Sequence, residues 1–362
     1  MQLARVKARL DTLDRRLDGR AYDKQKSSLA RDLDSFLRQN RNSGYCTEGR
    51  KSDEALPEDI VKFLTDRNSR ERTQVHVLGC PNMGKRGFHG CGCQQHLAAG
   101  TVDSYIGQLR AHCNTIGSRG PWNPRSKEGN PCISVQVGRY LKAIRLEQAE
   151  AHVTPKQAIP LFSDKLRWLI GEIRELIRSH VEKGERDFIK VYLPYRDIAF
   201  FLCLWWAGDR AADLGRTKTC EVTRIDERDL LFNHTIGKTV REGDSSIIVI
   251  PKLDSEEMDP VGAVDKMMSL ACSHGRSLVG GYLFRPSTPD HKDLANKPFV
   301  GNGPNNRLKR YFSSSGDPDD LNLRAHGGRA GVAVTLRLLG AAEQQVMDHC
   351  GWAAVQTFTI LR

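Results

Sequence analysis

Four soft metal donors fall within 18 residues of one another: His76, Cys80, Cys91 and Cys93. A Gly-rich loop separates the first pair from the second. One His and three Cys suit a tetrahedral Zn²⁺. With all four positions filled by protein, no position is left open for a substrate, so such a site staples a loop into its surroundings. His89 and His96 are alternative donors in the same stretch.

What surrounds the quartet reads as helix. Residues 1–20 form a charged helix or arm with Leu3, Val6, Leu10, Leu13 and Leu17 at helical spacing. Tyr22 to Asn40 is more clearly amphipathic, with Leu29, Leu33, Phe36 and Leu37 on one face. Pro57-Glu58-Asp59 opens a short helix, since proline and acids suit a helix N-terminus. Beyond the quartet, Thr101 caps a helix carrying Val102, Tyr105, Ile106 and Leu109. Gly117 to Gly129 is loop. From Ser134 a further helix carries Val135, Val137, Tyr140, Leu141 and Ile144, with Arg139, Lys142 and Arg145 on its other side.

Composition places these helices in a basic chain: 55 Lys and Arg against 44 Asp and Glu, a net charge of +11 over 362 residues. That balance favours nucleic acid or another anionic surface as partner. No apolar run reaches membrane-spanning length, and the charged N-terminus has no signal-peptide core. Ten cysteines then point to reduced thiols, some of them metal ligands.

The run from Val75-His76-Val77 through Cys91-Gly92-Cys93, Thr101–Ala111, Trp122-Asn123-Pro124 and Val137–Ala149 resembles the plant ALOG domain over residues 22–155. That domain is similar in turn to the DNA-binding domain of recombinases from Crypton-like mobile elements. The resemblance implies an all-helical domain that clasps double-stranded DNA, with Arg110, Arg139, Lys142 and Arg145 toward the DNA and His76, Cys80, Cys91 and Cys93 at the metal positions.

Prolines 155 and 160 bracket a linker, residues 156–162, and a second domain follows at 163–362. Ser163 caps a helix with Leu166, Leu169, Ile170, Ile173, Leu176 and Ile177 in period. An apolar helix runs from about Tyr195 to Trp206, followed by Gly208, Arg210 and Asp213. Strand-like segments come next, with a hairpin between His234 and Leu253 whose turn is Glu242-Gly243-Asp244. Lys238 precedes that turn. Residues 260–284 read as a helix and a turn, and residues 285–320, rich in Pro, Ser, Asn and Asp, as a long loop. His326 and Arg329 lie one helical turn apart at the start of the last long helix, with a break at Gly340, a short helix, and Trp352 after Gly351.

The order Arg210, Lys238, His326, Arg329, Trp352 resembles the catalytic series of the phage-integrase type of tyrosine recombinase. The resemblance implies a mainly α fold with a small β-sheet, in two domains. Two arginines clamp the non-bridging oxygens of a DNA phosphodiester. His326 and Trp352 add donors, and Lys238, or alternatively Lys252, protonates the 5′-oxygen leaving group. Asp213 holds the site together. Catalysis needs no cofactor. The implied partner is double-stranded DNA, bound as a homo-oligomer (dimer or tetramer), and the implied location is the nucleus in a eukaryote, otherwise intracellular.

One part departs from the family. Its nucleophilic tyrosine stands about nine residues past the tryptophan position, where this sequence has Leu361. Tyr311 is the last tyrosine and lies upstream of His326. Truncation, decay, or a tyrosine supplied by another chain would each account for that. The expectation is a DNA-binding tyrosine recombinase impaired in cleavage; the alternatives are a non-enzymatic DNA-binding regulator derived from one, and a basic RNA-binding protein in which Arg210 and Arg329 are unrelated in space.

Overall fold

The computed structural model describes residues 23–40, 52–68, 73–85, 90–153, 159–226, 228–235 and 246–352. The first helix expected from the sequence lies outside them. The chain divides into two compact units, residues 1–156 and 157–362, each with its own apolar core. The fold is mainly helical, with a two-stranded ribbon in the first unit and a small three-stranded sheet in the second.

The first unit packs α1 (Asp23–Gln39), α2 (Pro57–Asn68), α3 (Ala99–Thr115) and α4 (Val135–Glu150). Leu33, Ile60, Phe63, Leu64, Val102 and Leu109 are all buried in its core. These positions recur at helical spacing, and each such side chain stabilises the fold by about 1.5–3 kcal/mol on burial. Ser134 caps α4 by accepting from the Val137 N–H at 3.2 Å. The cap expected at Thr101 is displaced: α3 begins at Ala99. The cause is tertiary. Gln148 on α4 accepts the Ala99 N–H at 2.8 Å and donates to the Leu97 carbonyl at 2.6 Å, so a neighbouring helix supplies the cap. Strands β1 (Thr73–Gln74) and β2 (Gln95–His96) pair antiparallel and close the loop that carries the four soft donors.

The second unit is built on α6 (Phe188–Ala207), which is buried on nearly every side. Around it pack α5 (Ser163–Glu182), α8 (Pro260–Ser273) and α10 (His326–Leu338). Helix α6 starts seven residues before the expected Tyr195. Asp187 caps it through the Ile189 N–H at 2.9 Å, and Pro194 is carried inside the helix instead of ending it. The helix expected to be capped by Ser163 is flanked by Phe162, which makes no side-chain cap. The three-stranded antiparallel sheet has the order β3 (Val222–Ile225), β4 (Asp229–His234), β5 (Ser246–Ile250). His234 at the end of β4 pairs with Ser246 at the start of β5.

The expected loop at 285–320 contains a helix, α9 (Gly303–Phe312). Its polar composition hid the burial of Leu308, Tyr311 and Phe312 on one face. Tyr311 is 5% exposed, and its hydroxyl donates to Asp197 Oδ2 at 2.7 Å. Burial holds that hydroxyl's pKa far above the ordinary tyrosine value, and its place in the core against Asp197 closes Tyr311 to a substrate.

Candidate functional sites

In the first unit the ligand atoms of His76, Cys80, Cys91 and Cys93 all lie within 4.8 Å of one another. His76 Nδ1 stands 3.5 Å from Cys80 Sγ and 3.4 Å from Cys91 Sγ. Around a tetrahedral ion with ordinary Zn–N and Zn–S bond lengths, that edge measures about 3.5 Å. The four residues fit a metal ion and can hold one. Gln74 on β1 supports them: its amide donates to Cys91 Sγ at 3.1 Å and to the Cys91 carbonyl at 3.0 Å. Such outer contacts orient sulfur ligands. Of the alternative donors, His96 is used elsewhere, 3.2 Å from Asn68 Nδ2 and 3.8 Å from Glu147. His89 lies outside the described residues.

Arg110 on α3 and Arg139, Lys142 and Arg145 on α4 are exposed. The three on α4 recur every third residue and so share one side of the helix. Arg145 also pairs with Asp103 at 2.9 Å.

In the second unit α6 ends at Gly208, whose φ of 58° is left-handed. A Cβ there would come within 3.1 Å of His349 and 3.2 Å of Cys350 and Val332. Glycine therefore both turns the chain and lets α11 (Glu343–Cys350) approach. The turn delivers Asp209 and then Arg210, which flanks the one-turn α7 (Ala211–Leu214). Asp213, 6% exposed, takes Arg210 Nη1 at 3.5 Å and Arg216 Nη1 at 3.6 Å on its two oxygens.

Arg329 comes from the first turn of α10. That helix lies against the chain at Ile159–Leu161, and a Cβ at Gly331 would stand 1.9 Å from the Leu161 carbonyl oxygen. The Gly327 carbonyl accepts the Leu161 N–H at 2.8 Å. The seat so formed buries Arg329 to 3% exposure. Its Nη2 has no hydrogen-bond partner among the described residues. Burial, and then the charge of Arg210, push its pKa down to about 10. Its guanidinium carbon lies 5.5 Å from the centre of the Trp352 ring.

Arg210 and Arg329 face one cavity of about 250 Å³, walled also by Gly208, His349, Cys350 and residues Ile247–Val249 of β5. The structure thus brings Arg210, Asp213, Arg329 and Trp352 together, which excludes the reading in which the two arginines are unrelated. His326 begins α10 one turn from Arg329 but is exposed and does not line the cavity. Lys238 lies in the β4–β5 connection, and Leu361 past Trp352; both fall outside the described residues. Lys252 is exposed, its backbone N–H bound to Asp229.

Two cavity residues had no sequence signal. Asp209 reads as an ordinary loop acid, and His349 has no motif around it. Desolvation, and then the Arg329 charge, hold the His349 pKa below the ordinary histidine value against the pull of the Trp206 carbonyl. Chemically, the cavity presents the Arg210 and Arg329 guanidinium groups with the Asp209 and Asp348 carboxylates on its wall, and the forked donors of the two arginines suit a tetrahedral oxyanion.

The model of the ALOG domain matches residues 15–146. Protein LIGHT-DEPENDENT SHORT HYPOCOTYLS 5 of Arabidopsis thaliana is 32% identical over 135 residues, which cover 37% of this chain and 68% of that protein. The chain belongs to the ALOG-domain family. Protein G1-like9 of Oryza sativa subsp. indica is 31% identical over 139 residues, but the chain spans only 43% of its length. The ALOG domain contains the metal cluster and the basic face of α4, and stops before the second unit. Solved structures that resemble most of the chain include a XerH site-specific recombinase and a transposon integrase. The latter is the Tn1549 transposon integrase in complex with circular intermediate DNA, at 12% identity and a TM-score of 0.49, covering 98% of this chain and 94% of that one. Among the described residues no helix is long and apolar enough to cross a membrane.

Proposed function

We propose that the chain is a nuclear DNA-binding protein in which an ALOG domain, stapled by Zn²⁺ on His76, Cys80, Cys91 and Cys93, is joined to a phosphodiester-binding unit of tyrosine-recombinase type. The observation that carries the second half is Arg329: a guanidinium 3% exposed, with Nη2 unpartnered among the described residues, facing a cavity shared with Arg210. Burying this guanidinium costs free energy that the nearby Asp209 and Asp213 carboxylates offset only in part, since its pKa is still pushed down. A DNA phosphate seated between the two guanidinium groups removes that cost, and forked donors suit its oxygens. Trp352 stacks beside Arg329, Asp213 braces Arg210, and Lys238 is the leaving-group acid of a recombinase reaction.

Cleavage in that reaction forms a tyrosyl–phosphorus bond as the 5′-oxygen leaves with a proton. With Leu361 at the nucleophile position, this chain binds DNA and does not cleave it. The test is a nicked suicide duplex incubated with the full chain and with Leu361→Tyr. Retained binding with no covalent adduct is expected for the natural sequence, and an adduct for Leu361→Tyr. An adduct with the natural sequence would overturn the inactivity, and absence of DNA binding would overturn the whole reading. Leu361 also favours a second reading, a regulator that uses the clamp only to hold DNA; Leu361→Tyr separates the two, since a unit retired from catalysis stays inert when the hydroxyl is restored.

A further inference from the structure

Behind the arginine pair runs a buried chain of polar side chains that phosphate binding alone does not require. Asp209 Oδ1 accepts the backbone N–H of Arg210 at 2.7 Å. Asp209 Oδ2 lies 3.3 Å from His234 Nδ1. On the other side of the ring, His234 Nε2 lies 3.1 Å from Thr217 Oγ1. Asp209, His234 and Thr217 are 8%, 4% and 1% exposed. The order acid–imidazole–hydroxyl is that of a hydrolase triad. Thr217 is nevertheless closed to substrate, because the cavity beside it is about 80 Å³, too small for a nucleotide.

The chain joins three segments that the site must hold in register. Asp209 belongs to the turn that delivers Arg210. Thr217 follows α7; its N–H donates to the Leu214 carbonyl and its carbonyl accepts from the Leu283 N–H. His234 ends β4, paired with Ser246 at the start of β5. The imidazole thus stands between a carboxylate in ion-pair contact on its Nδ1 side, too poorly aligned for a hydrogen bond, and a hydroxyl at hydrogen-bond distance on its Nε2 side.

We propose that the Asp209–His234–Thr217 chain positions Arg210, and that His234 registers that arginine against the β4–β5 hairpin. The inference rests on the phosphate-clamp reading. Loss of the imidazole frees the Asp209 carboxylate to rotate, releases the Arg210 N–H and lets its guanidinium drift from the shared cavity. His234 is a positioning residue, since it touches no phosphate itself.

The experiment measures inorganic phosphate binding by the full chain through the phosphate-dependent rise in Tm, against chloride at matched ionic strength. A ligand that binds only the folded chain raises Tm by an amount set by its Kd. His234→Ala is expected to weaken phosphate by about tenfold, the scale of one charge-linked hydrogen bond. His234→Asn, whose amide N–H can still reach Asp209, is expected to recover most of the affinity. Thr217→Val, which keeps the shape and loses the hydroxyl, is expected to weaken phosphate by about twofold to threefold, and decides the matter should His234→Ala fail to fold. Wild-type phosphate affinity in His234→Ala, or in Thr217→Val if that is the variant that folds, overturns the positioning role even if Tm in chloride falls. A natural chain with no phosphate-dependent rise overturns the clamp itself.

Discussion

The metal cluster and the arginine pair are both gatherings of groups that need a partner ion, and they are assembled in opposite ways. The cluster draws all four donors from one loop between His76 and Cys93, closed by a two-residue ribbon. The arginine pair draws Arg210 from the end of α6 and Arg329 from the start of α10, over a hundred residues later, with β5 and α11 completing the walls. In the cluster, neutral or ionisable donors wait for a cation that lowers their energy. In the pair, two permanent cations share one cavity and one of them is buried, so an oxyanion between them would offset the cost of bringing them together. A local cluster can drive folding of its loop, whereas the arginine pair has to be held by the folding of everything around it.

The largest expected effect breaks the first half of that contrast. Structural zinc contributes on the order of 10–16 kcal/mol to small metal sites. A strong chelator, or Cys91→Ser, is therefore expected to unfold the first unit, read as loss of zinc by metal analysis and loss of its helical signal by circular dichroism. His96→Ala, which breaks only the contacts to Asn68 and Glu147, is expected to keep one zinc per chain.

The next effect tests the cost of the buried cation. The folded-state pKa of Arg329 is depressed to about 10, so its charged form is disfavoured by folding. That penalty is full at neutral pH and is relieved only as pH rises through about 10 toward the unfolded value. Arg329→Gln is accordingly expected to leave Tm in chloride unchanged or higher. Phosphate affinity should fall about 10- to 100-fold. A fall in both would mean that Arg329 is chiefly a structural residue.

A smaller effect is expected from Gly208→Ala. The added methyl meets His349, Cys350 and Val332 at 3.1–3.2 Å, at a left-handed φ. Stability should drop by about 1–3 kcal/mol in denaturant titration. The smallest effects belong to the exposed face of α4. Arg139→Ala and Lys142→Ala should each reduce the slope of log K for DNA against log salt by about one. Arg145→Ala should do less, because Asp103 already neutralises part of that charge.

The two sites also differ in how far the sequence revealed them. The metal quartet and the helices around it follow from spacing, and so does the turn of sequence that sets Arg329 at a helix start. Gly340 and Gly351 mark the ends of α10 and α11 as read. What escaped the sequence was supplied by distant residues. Gln148 caps α3 from another helix, Asp187 starts α6 ahead of an internal proline, and the apolar face of α9 hides among prolines and asparagines. Asp209, His234 and Thr217 carry no local pattern, because their link exists only once α6, α7 and β4 have met. His326 was placed correctly on its helix, yet it stands exposed outside the cavity.

The central claim is that Arg210 and Arg329 share one phosphate. A crystal structure of the full chain grown with inorganic phosphate tests it most directly. The account predicts a phosphate in the cavity between Gly208 and His349, with a nitrogen of Arg210 and Nη2 of Arg329 each about 3 Å from its oxygens. A cavity without phosphate, in which Nη2 of Arg329 is bound by another group of the chain, would contradict it.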